Sequence, residues 1–370
     1  MDVRLSDNQA TVRDLARGVF ARRGDPGRLA EIETAPDRFD RQLWQELADT
    51  GVLGLAVGAE HGGAGLGMAE VAPALIEQGR TLGMVPMWET VVLGALPIAR
   101  YGDEKQQAGW LPRVADGTAV LTAALEAPGA ARPWQVTVRA DGGPDSWSLT
   151  GASRGVPAGH LADAIVVPAA TEAGSVELFL VPTDQPGLTR HRVERTDRGG
   201  ATDLVLDGAV AERLGEGPAE DRHDWLLQRA WAGLAAIQLG VSQEAVRHAA
   251  TYVSQRHQFG VPLATFQAVA HQAADCHIDT EAMEATLWNA LWRLATGREA
   301  AAAVHVAKWW AADAGDRVAR TVQHLHGGMG ADVTYPVHRY MLWSTQQANT
   351  LGSAGWHLHQ VGGHIAGGTA

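Results

Sequence analysis

The first third of the chain has a helical beat. Val12, Leu15, Ala16, Val19 and Phe20 recur at three- and four-residue intervals, and Leu43, Trp44, Leu47 and Leu53 carry the pattern on. That spacing places apolar side chains on one face of a helix. The glycine-rich run Gly58-Ala59-Glu60-His61-Gly62-Gly63-Ala64-Gly65 breaks it, because so many glycines cannot hold a helix. A second helical stretch is predicted over 68–78.

From about Val120 to Leu214 the period changes. Ser146–Gly151 alternates and ends in a turn residue, and 164–168, 176–182 and 203–208 are short β-branched or apolar runs. Gly, Pro and Asp punctuate them, as expected for a small antiparallel barrel or sandwich. Helix returns from Asp221. Leu226, Leu227, Ala230, Trp231, Leu234 and Ala235 form a broad apolar face, and Ile237, Leu239 and Val241 extend it around the axis. A helix apolar nearly all round is a central, buried one. Further helices are predicted over 266–294, 299–325 and 336–350. The glycine-rich end Gly362–Gly368 is expected to fray. The reading is an α+β chain: an N-terminal helical domain over 1–116, a middle antiparallel β-barrel domain over 117–215, and a C-terminal four-helix bundle over 216–370.

Composition narrows the function classes. The 370 residues, 46% of them hydrophobic, exceed what one small core needs. A formal charge of −12 argues against a nucleic-acid or anionic-membrane binder. No apolar run is long enough to span a bilayer, and the N-terminus, with its acidic residues, does not read as a signal peptide. The single cysteine, Cys276, forms no intrachain disulfide and fits a reducing compartment. The expected location is the cytoplasm. Fifteen histidines invite a metal reading, but no carboxylate or cysteine set completes a ligand group, so no metal site is expected. A Gly-x-Ser-x-Gly nucleophile elbow is also missing. Thirteen tryptophans stand beside four tyrosines and five phenylalanines. The plain reading is core or interface filling, with Trp288, Trp309 and Trp310 available against a neighbouring subunit.

Two segments carry the chemistry. The first is Arg256-His257-Gln258-Phe259-Gly260-Val261-Pro262-Leu263, followed by Phe266-Gln267. A guanidinium there offers forked donors to phosphate oxygens, although the same Arg could simply cap a helix end. The second is Gln323-His324-Leu325-His326-Gly327-Gly328-Met329-Gly330, where paired glycines let backbone approach a ligand closely. Alone, such a pair would more often just end a helix.

Together with the order helix, β module, helix, these segments resemble the acyl-CoA dehydrogenase family over nearly the whole chain. The wording of Val156–Asp163 and of Gln323–Gly328 looks most like the short actinobacterial type that acts on steroid side chains, whose subunits can pair as heteromers. The resemblance implies FAD as cofactor and an acyl-CoA or acyl-carrier thioester as substrate. It implies flavin contacts from Arg256, Phe259, Gln267, Gln323, His324, Gly327 and Gly328, the Arg reaching across a subunit boundary. The family's adenine-contacting Gln falls at His324 by spacing, with Gln323 next to it. A homo-oligomer, or a heteromer with a base-bearing paralogue, and an electron-transfer flavoprotein are the implied partners.

The departures are as informative. The family's flavin-contacting Thr-Glu-Pro-Gly segment reads Leu125-Glu126-Ala127-Pro128-Gly129, and Gly155-Val156-Pro157 stands where many members carry Trp-Ile-Thr. Where the family keeps its proton-abstracting glutamate this chain has Leu351. The alternative family position, near Ala230 and Trp231, holds no acid either, and none occurs between Asp224 and Glu244. The catalytic residue is therefore unknown from sequence. Three readings stay open: a subunit working beside a base-bearing paralogue, an enzyme with different chemistry or a relocated base, and a non-enzymatic or flavin-free partner.

Overall fold

A computed structural model describes residues 5–126, 135–143, 146–215 and 222–367. Ala127, Pro128 and Gly129 of the flavin-contacting segment, Asp221 and Gly368 lie outside the described residues. The chain divides into two compact units, one of residues 1–29, 72–83 and 231–370, the other of 30–71 and 84–230.

The first unit is helical. It contains α1 (Asp7–Arg23), the larger part of α4 (Met68–Thr81), most of α7 (Arg222–Gln255), then α8 (Gln267–Ala295), α9 (Ala301–Leu325), α10 (Val337–Asn349) and α11 (Ala354–Ile365). Ser6 and Gln9 close a reciprocal capping box at the start of α1, satisfying amide donors that a helix start leaves unpaired. Inside α7, Gly240 permits a backbone-to-backbone approach. A Cβ there would lie 1.9 Å from the Ile76 carbonyl oxygen of α4. Gly79 of α4 answers it, since its Cβ would lie 2.1 Å from the Ile237 carbonyl oxygen. Gln238 is buried beside this seam and donates to Ser242 and Ser344, each at 3.0 Å. Helix α9 packs on α8, α10 and α11. The four long C-terminal helices are those the periodicity predicts, and α11 is a fifth. It corrects the expected fraying: Gly362–Ile365 is helical. The Ser353 side chain accepts from the Trp356 amide at the N-cap, and His357 is fully buried, so one anchored face outweighs the glycine penalty.

The second unit holds α3 (Arg41–Asp49), α5 (Leu96–Tyr101), α6 (Glu104–Ala115) and a seven-stranded sheet. Residues 30–34 end α2 (Pro26–Thr34). The strands are β1 (Leu121–Ala123), β2 (Arg139–Gly143), β3 (Ser146–Pro157), β4 (Ala164–Thr171), β5 (Val176–Pro182), β6 (Leu188–Glu194) and β7 (Gly200–Arg213). Pairing runs β4–β2–β3–β7–β5 and returns to β4, so five strands close a ring. Leu149, Ile165, Val167, Phe179, Val181, Leu204 and Leu206 fill its interior. The expected antiparallel barrel is mixed in detail, because β1 and β2 both pair parallel to β4. Strand β3 is twice as long as the alternating run suggests. Register shifts after Leu149 and Ser153 let it continue through Gly151 and Gly155.

Residues Trp88–Ala95 form a π-helix, which the sequence pattern does not predict. Thr90 ties it to the barrel: its hydroxyl accepts from the Leu121 amide and donates to the Leu121 carbonyl, each at 3.2 Å.

Candidate functional site

In the helical unit, α7 ends at Gln255 and the chain turns into the hairpin β8 (His257–Gln258) and β9 (Val261–Pro262). Phe259 and Gly260 make its two-residue loop, with φ of 54° and 81°. Two positive φ angles match the twist of a tight hairpin, and Gly takes the second cheaply. The loop pushes Phe259 out to 92% exposure, edge-on to Phe266 at 6.2 Å. The Arg256 backbone is held at both ends: its amide donates to the Tyr252 carbonyl and its carbonyl accepts from Leu263, each at 2.8 Å. Its exposed side chain has no partner among the described residues. Gln267 begins α8 and is exposed.

The glycine turn follows α9. Gly327 has φ 56°, and a Cβ on Gly327 or Gly328 would meet nothing within 4 Å. Internal packing therefore does not require a glycine at 328. Its open backbone is what a closely approaching ligand needs. The structure brings this turn beside the Arg256 hairpin through a ring stack. Tyr252, one turn before Arg256, lies on His326 at 4.6 Å, and Tyr335 meets both rings. His326 is buried, and its Nδ1–H donates to the Val322 carbonyl at 2.7 Å. Gln323 folds back and donates to the Gly330 carbonyl at 3.1 Å, whereas His324 is exposed with no side-chain partner among the described residues. An exposed guanidinium on the segment that stacks against an open backbone turn fits a diphosphate-bearing ligand.

Leu351 is 2% exposed and holds φ 54°. A left-handed leucine is strained, and donors from three elements pin its loop. Trp231 Nε1–H and His357 Nε2–H donate to the Leu351 carbonyl at 2.9 and 3.2 Å. Lys308 Nζ, also buried, donates to the Gln347 carbonyl at 2.9 Å and to the Gly352 carbonyl of the loop at 3.5 Å. With His357 Nε2 carrying its proton, neutral His357 offers a bare Nδ1, which accepts from His305 Nδ1–H at 3.0 Å. Burial, and the neighbouring His364, push the His305 pKa down to about 4. Burial likewise pushes His357 far down, aided by Lys308 and His305. The pair is neutral at pH 7. Among the described residues no carboxylate is recorded in this cluster, and Ala230 and Trp231 are buried apolar residues.

In the barrel unit the strand β1 leads into Leu125 and Glu126. Leu125 is buried and brings no donor. The Glu126 carbonyl accepts from Ser153 Oγ and from the Arg154 amide. The Gly155 amide is already spent on Asp203 Oδ1 at 2.9 Å, and Thr122 donates to the Pro157 carbonyl at 2.7 Å. Among the described residues these donors are committed within the barrel, so few of them are left to face a flavin ring.

One residue that sequence reasoning missed is Glu89, on the π-helix. Burial pushes its carboxyl up to about 7, against a smaller lowering by Arg195. Its signal in the sequence is a lone acid within Met84–Leu93, an otherwise uncharged and mostly apolar run. Cys276 is buried, and burial pushes its thiol up to about 11, so it is unreactive. Among the described residues no three His, Cys, Asp or Glu are grouped to hold a metal ion. No helix there is long and apolar enough to cross a membrane. Trp288, Trp309 and Trp310 are half-buried.

Comparison with known proteins matches residues 6–118 to the acyl-CoA dehydrogenase N-terminal domain and residues 224–365 to the acyl-CoA dehydrogenase C-terminal domain. Acyl-CoA dehydrogenase FadE27 of Mycobacterium tuberculosis is 37% identical, over 92% of this chain and 92% of its own. Among solved structures, a Tcur3481-Tcur3483 steroid ACAD variant is 42% identical with a TM-score of 0.92, covering 97% of this chain and 98% of that one. The ChsE4-ChsE5 complex from Mycobacterium tuberculosis is 35% identical with a TM-score of 0.93, covering 100% of both chains. With both terminal domains matched and relatives of this identity along nearly its whole length, the chain belongs to the acyl-CoA dehydrogenase family.

Proposed function

We propose that this chain is a subunit of an FAD-dependent oxidoreductase that desaturates an acyl-CoA or acyl-carrier thioester at its α,β bond. In this reading Arg256 and the Gly327-Gly328 turn hold the diphosphate and adenosine half of FAD, with Phe259, Gln267, Gln323 and His324 around it. When bound, FAD accepts hydride from the substrate β-carbon. The chain's own part is to grip the cofactor by its charged half: the Arg256 fork faces the phosphates and the glycine backbone admits them. The observation that carries the proposal is the exposed Arg256 side chain, without a partner among the described residues, one helical turn after the Tyr252 that stacks on His326 of the open glycine turn.

The same reading makes the protein an oligomer. A hairpin that throws Arg256 and an almost fully exposed Phe259 outward is built to reach a neighbour. Two solved relatives are named as pairs of different chains. The departures at Leu125 and Gly155 weaken this chain's hold on the flavin ring, so we infer that a paralogue supplies the ring site and the flavin is shared. Neither position that the family uses for its base carries a carboxylate here. In this reading the paralogue brings the base, and an electron-transfer flavoprotein takes the electrons on. A single buried cysteine supports work in the cytoplasm.

The test is co-expression with a paralogue encoded nearby. The expected product is a mixed oligomer holding FAD, with little flavin in this chain purified alone. Heat-released FMN, a nicotinamide, or no flavin in any preparation would overturn the reading. Full flavin content and fast turnover by this chain alone would overturn the shared-site part of it.

A further inference from the structure

His326 is the last buried residue before an open turn. It is 1% exposed, whereas Gly327, Gly328 and Met329 after it are exposed. Two kinds of contact hold its ring. Nδ1–H donates at 2.7 Å to the Val322 carbonyl, which otherwise receives only a long 3.3 Å bond from the His326 amide as α9 runs out. One stack joins it to α7: the ring lies on Tyr252 at 4.6 Å with the planes 29° apart, and Tyr335 stands against it at 5.4 Å.

Stability alone does not account for an imidazole here. Its Nε2 is buried with no partner among the described residues. A buried acceptor left unpaired costs stability that an apolar ring of similar shape would not. What the ring joins gives it a second use. Glu244, His248, Tyr252 and Arg256 recur every four residues and so share one face at the end of α7. The Arg256 amide still donates to the Tyr252 carbonyl at 2.8 Å, which carries the helical row on to it. His248 packs on Tyr340 of α10 at 5.3 Å, and Tyr340 Oη donates to the Arg80 carbonyl of α4 at 3.0 Å. The row is therefore fastened at His248 and again, one turn on, at Tyr252. Arg256 is its next member, and the Arg256 side chain is exposed with no partner among the described residues.

We propose that His326 is a positioning residue for the cofactor's diphosphate: stacked on Tyr252 and bonded to the end of α9, it fixes the register between the Arg256 segment and the Gly327-Gly328 turn, so that guanidinium and open backbone engage one diphosphate together. The proposal rests on the FAD reading above. It assigns to that reading a buried residue that acts through its neighbours and does not touch the ligand. The physical basis is preorganisation. Two anchors already held at a fixed spacing bind without first paying the entropy of being brought together. The stack supplies the spacing, and the Nδ1–H bond to Val322 sets the angle of the ring. Burial pushes the His326 pKa below its usual value, so the ring is neutral at pH 7 and keeps this single tautomer.

The experiment is a double-mutant cycle on FAD binding, in the full-length chain within its flavin-stripped assembly. H326A should weaken FAD about 10-fold, and H326F, which keeps the stack and loses the bond to Val322, should fall between H326A and wild type. If His326 works by placing Arg256, the R256A/H326A pair should bind within about threefold of R256A alone, whereas independent effects would multiply. Y252L removes the stack from the other side and leaves the buried imidazole in place, so it should reproduce both results even if H326A does not fold. An H326A or Y252L affinity within about twofold of wild type, or losses that multiply with R256A, overturns the proposal. If no assembly binds FAD, the FAD reading falls instead, and the positioning role is decided by hydrogen exchange. Removing the ring or its stack, in H326A or Y252L, should then speed exchange over 252–263 at least about threefold and leave 276–291 of α8 unchanged. Exchange unmoved over 252–263, or raised equally in both stretches, overturns it.

Discussion

Replacing Arg256 by alanine should cost flavin and leave the fold alone. The side chain is exposed and makes no contact that another described residue needs, so folding stability should change by no more than about 0.5 kcal/mol. A hydrogen bond to a charged group contributes about 1.5–3 kcal/mol, and a fork engaging two phosphate oxygens makes two. Solvent at an exposed site screens the pair, so about 2–3 kcal/mol is the working figure. That corresponds to roughly 30- to 150-fold in Kd. The assay is titration of the flavin-stripped assembly with FAD, followed by quenching of its fluorescence, with thermal melting run in parallel. Arg256→Lys keeps the charge and loses the fork, and should fall between wild type and alanine. The loss in R256A should shrink as salt rises, since phosphate contacts of this kind are screened. A Kd within twofold of wild type, with the melting temperature unchanged, would refute the assignment and put the phosphates elsewhere.

Gly328→Ala should melt like wild type, because the added Cβ meets nothing within 4 Å, yet bind FAD more weakly; unchanged affinity would make the glycine incidental. Gly240→Ala is the opposite case. Alanine gains about 1 kcal/mol of helix propensity, but its Cβ would sit 1.9 Å from the Ile76 carbonyl oxygen, so α4 and α7 must separate. A net loss of about 1–3 kcal/mol in urea unfolding is expected, and a stabilised protein would show that the seam is looser than described. Acid should also weaken the fold through its buried histidines. His305 and His223 are each pushed from 6.5 down to about 4 by burial. The unfolded chain therefore takes up protons first, and their stabilising contribution is full above about pH 6.5 and lost progressively as pH falls towards 4. A difference of 2.5 pKa units would be about 3 kcal/mol per histidine as an upper figure. Stability that stays flat between pH 7 and pH 4.5 would contradict the neutral His305–His357 pair.

The sequence by itself determined the order of helices, strands and helices, since hydrophobic periods of 3.6 and 2 are local properties of the chain. It also marked Arg256 and Gly327-Gly328, because a forked cation and a residue without a Cβ have few substitutes. The absence of an acid at Leu351 and between Asp224 and Glu244 needed no structure to see. Other features were settled only when distant residues met. Pairing decided that β4 lies parallel to β1 and β2, and that five strands close a ring. Packing made α11 a helix, through a buried His357 whose partner His305 lies on another helix. Tertiary contacts also decided between two adjacent residues that spacing could not separate, turning Gln323 inward to Gly330 and leaving His324 outside. Glu89 shows the limit most clearly. In the sequence it is one acid in an apolar run. What singles it out is burial inside the barrel unit and a neighbouring Arg195 more than a hundred positions away, and neither is a local property of the chain.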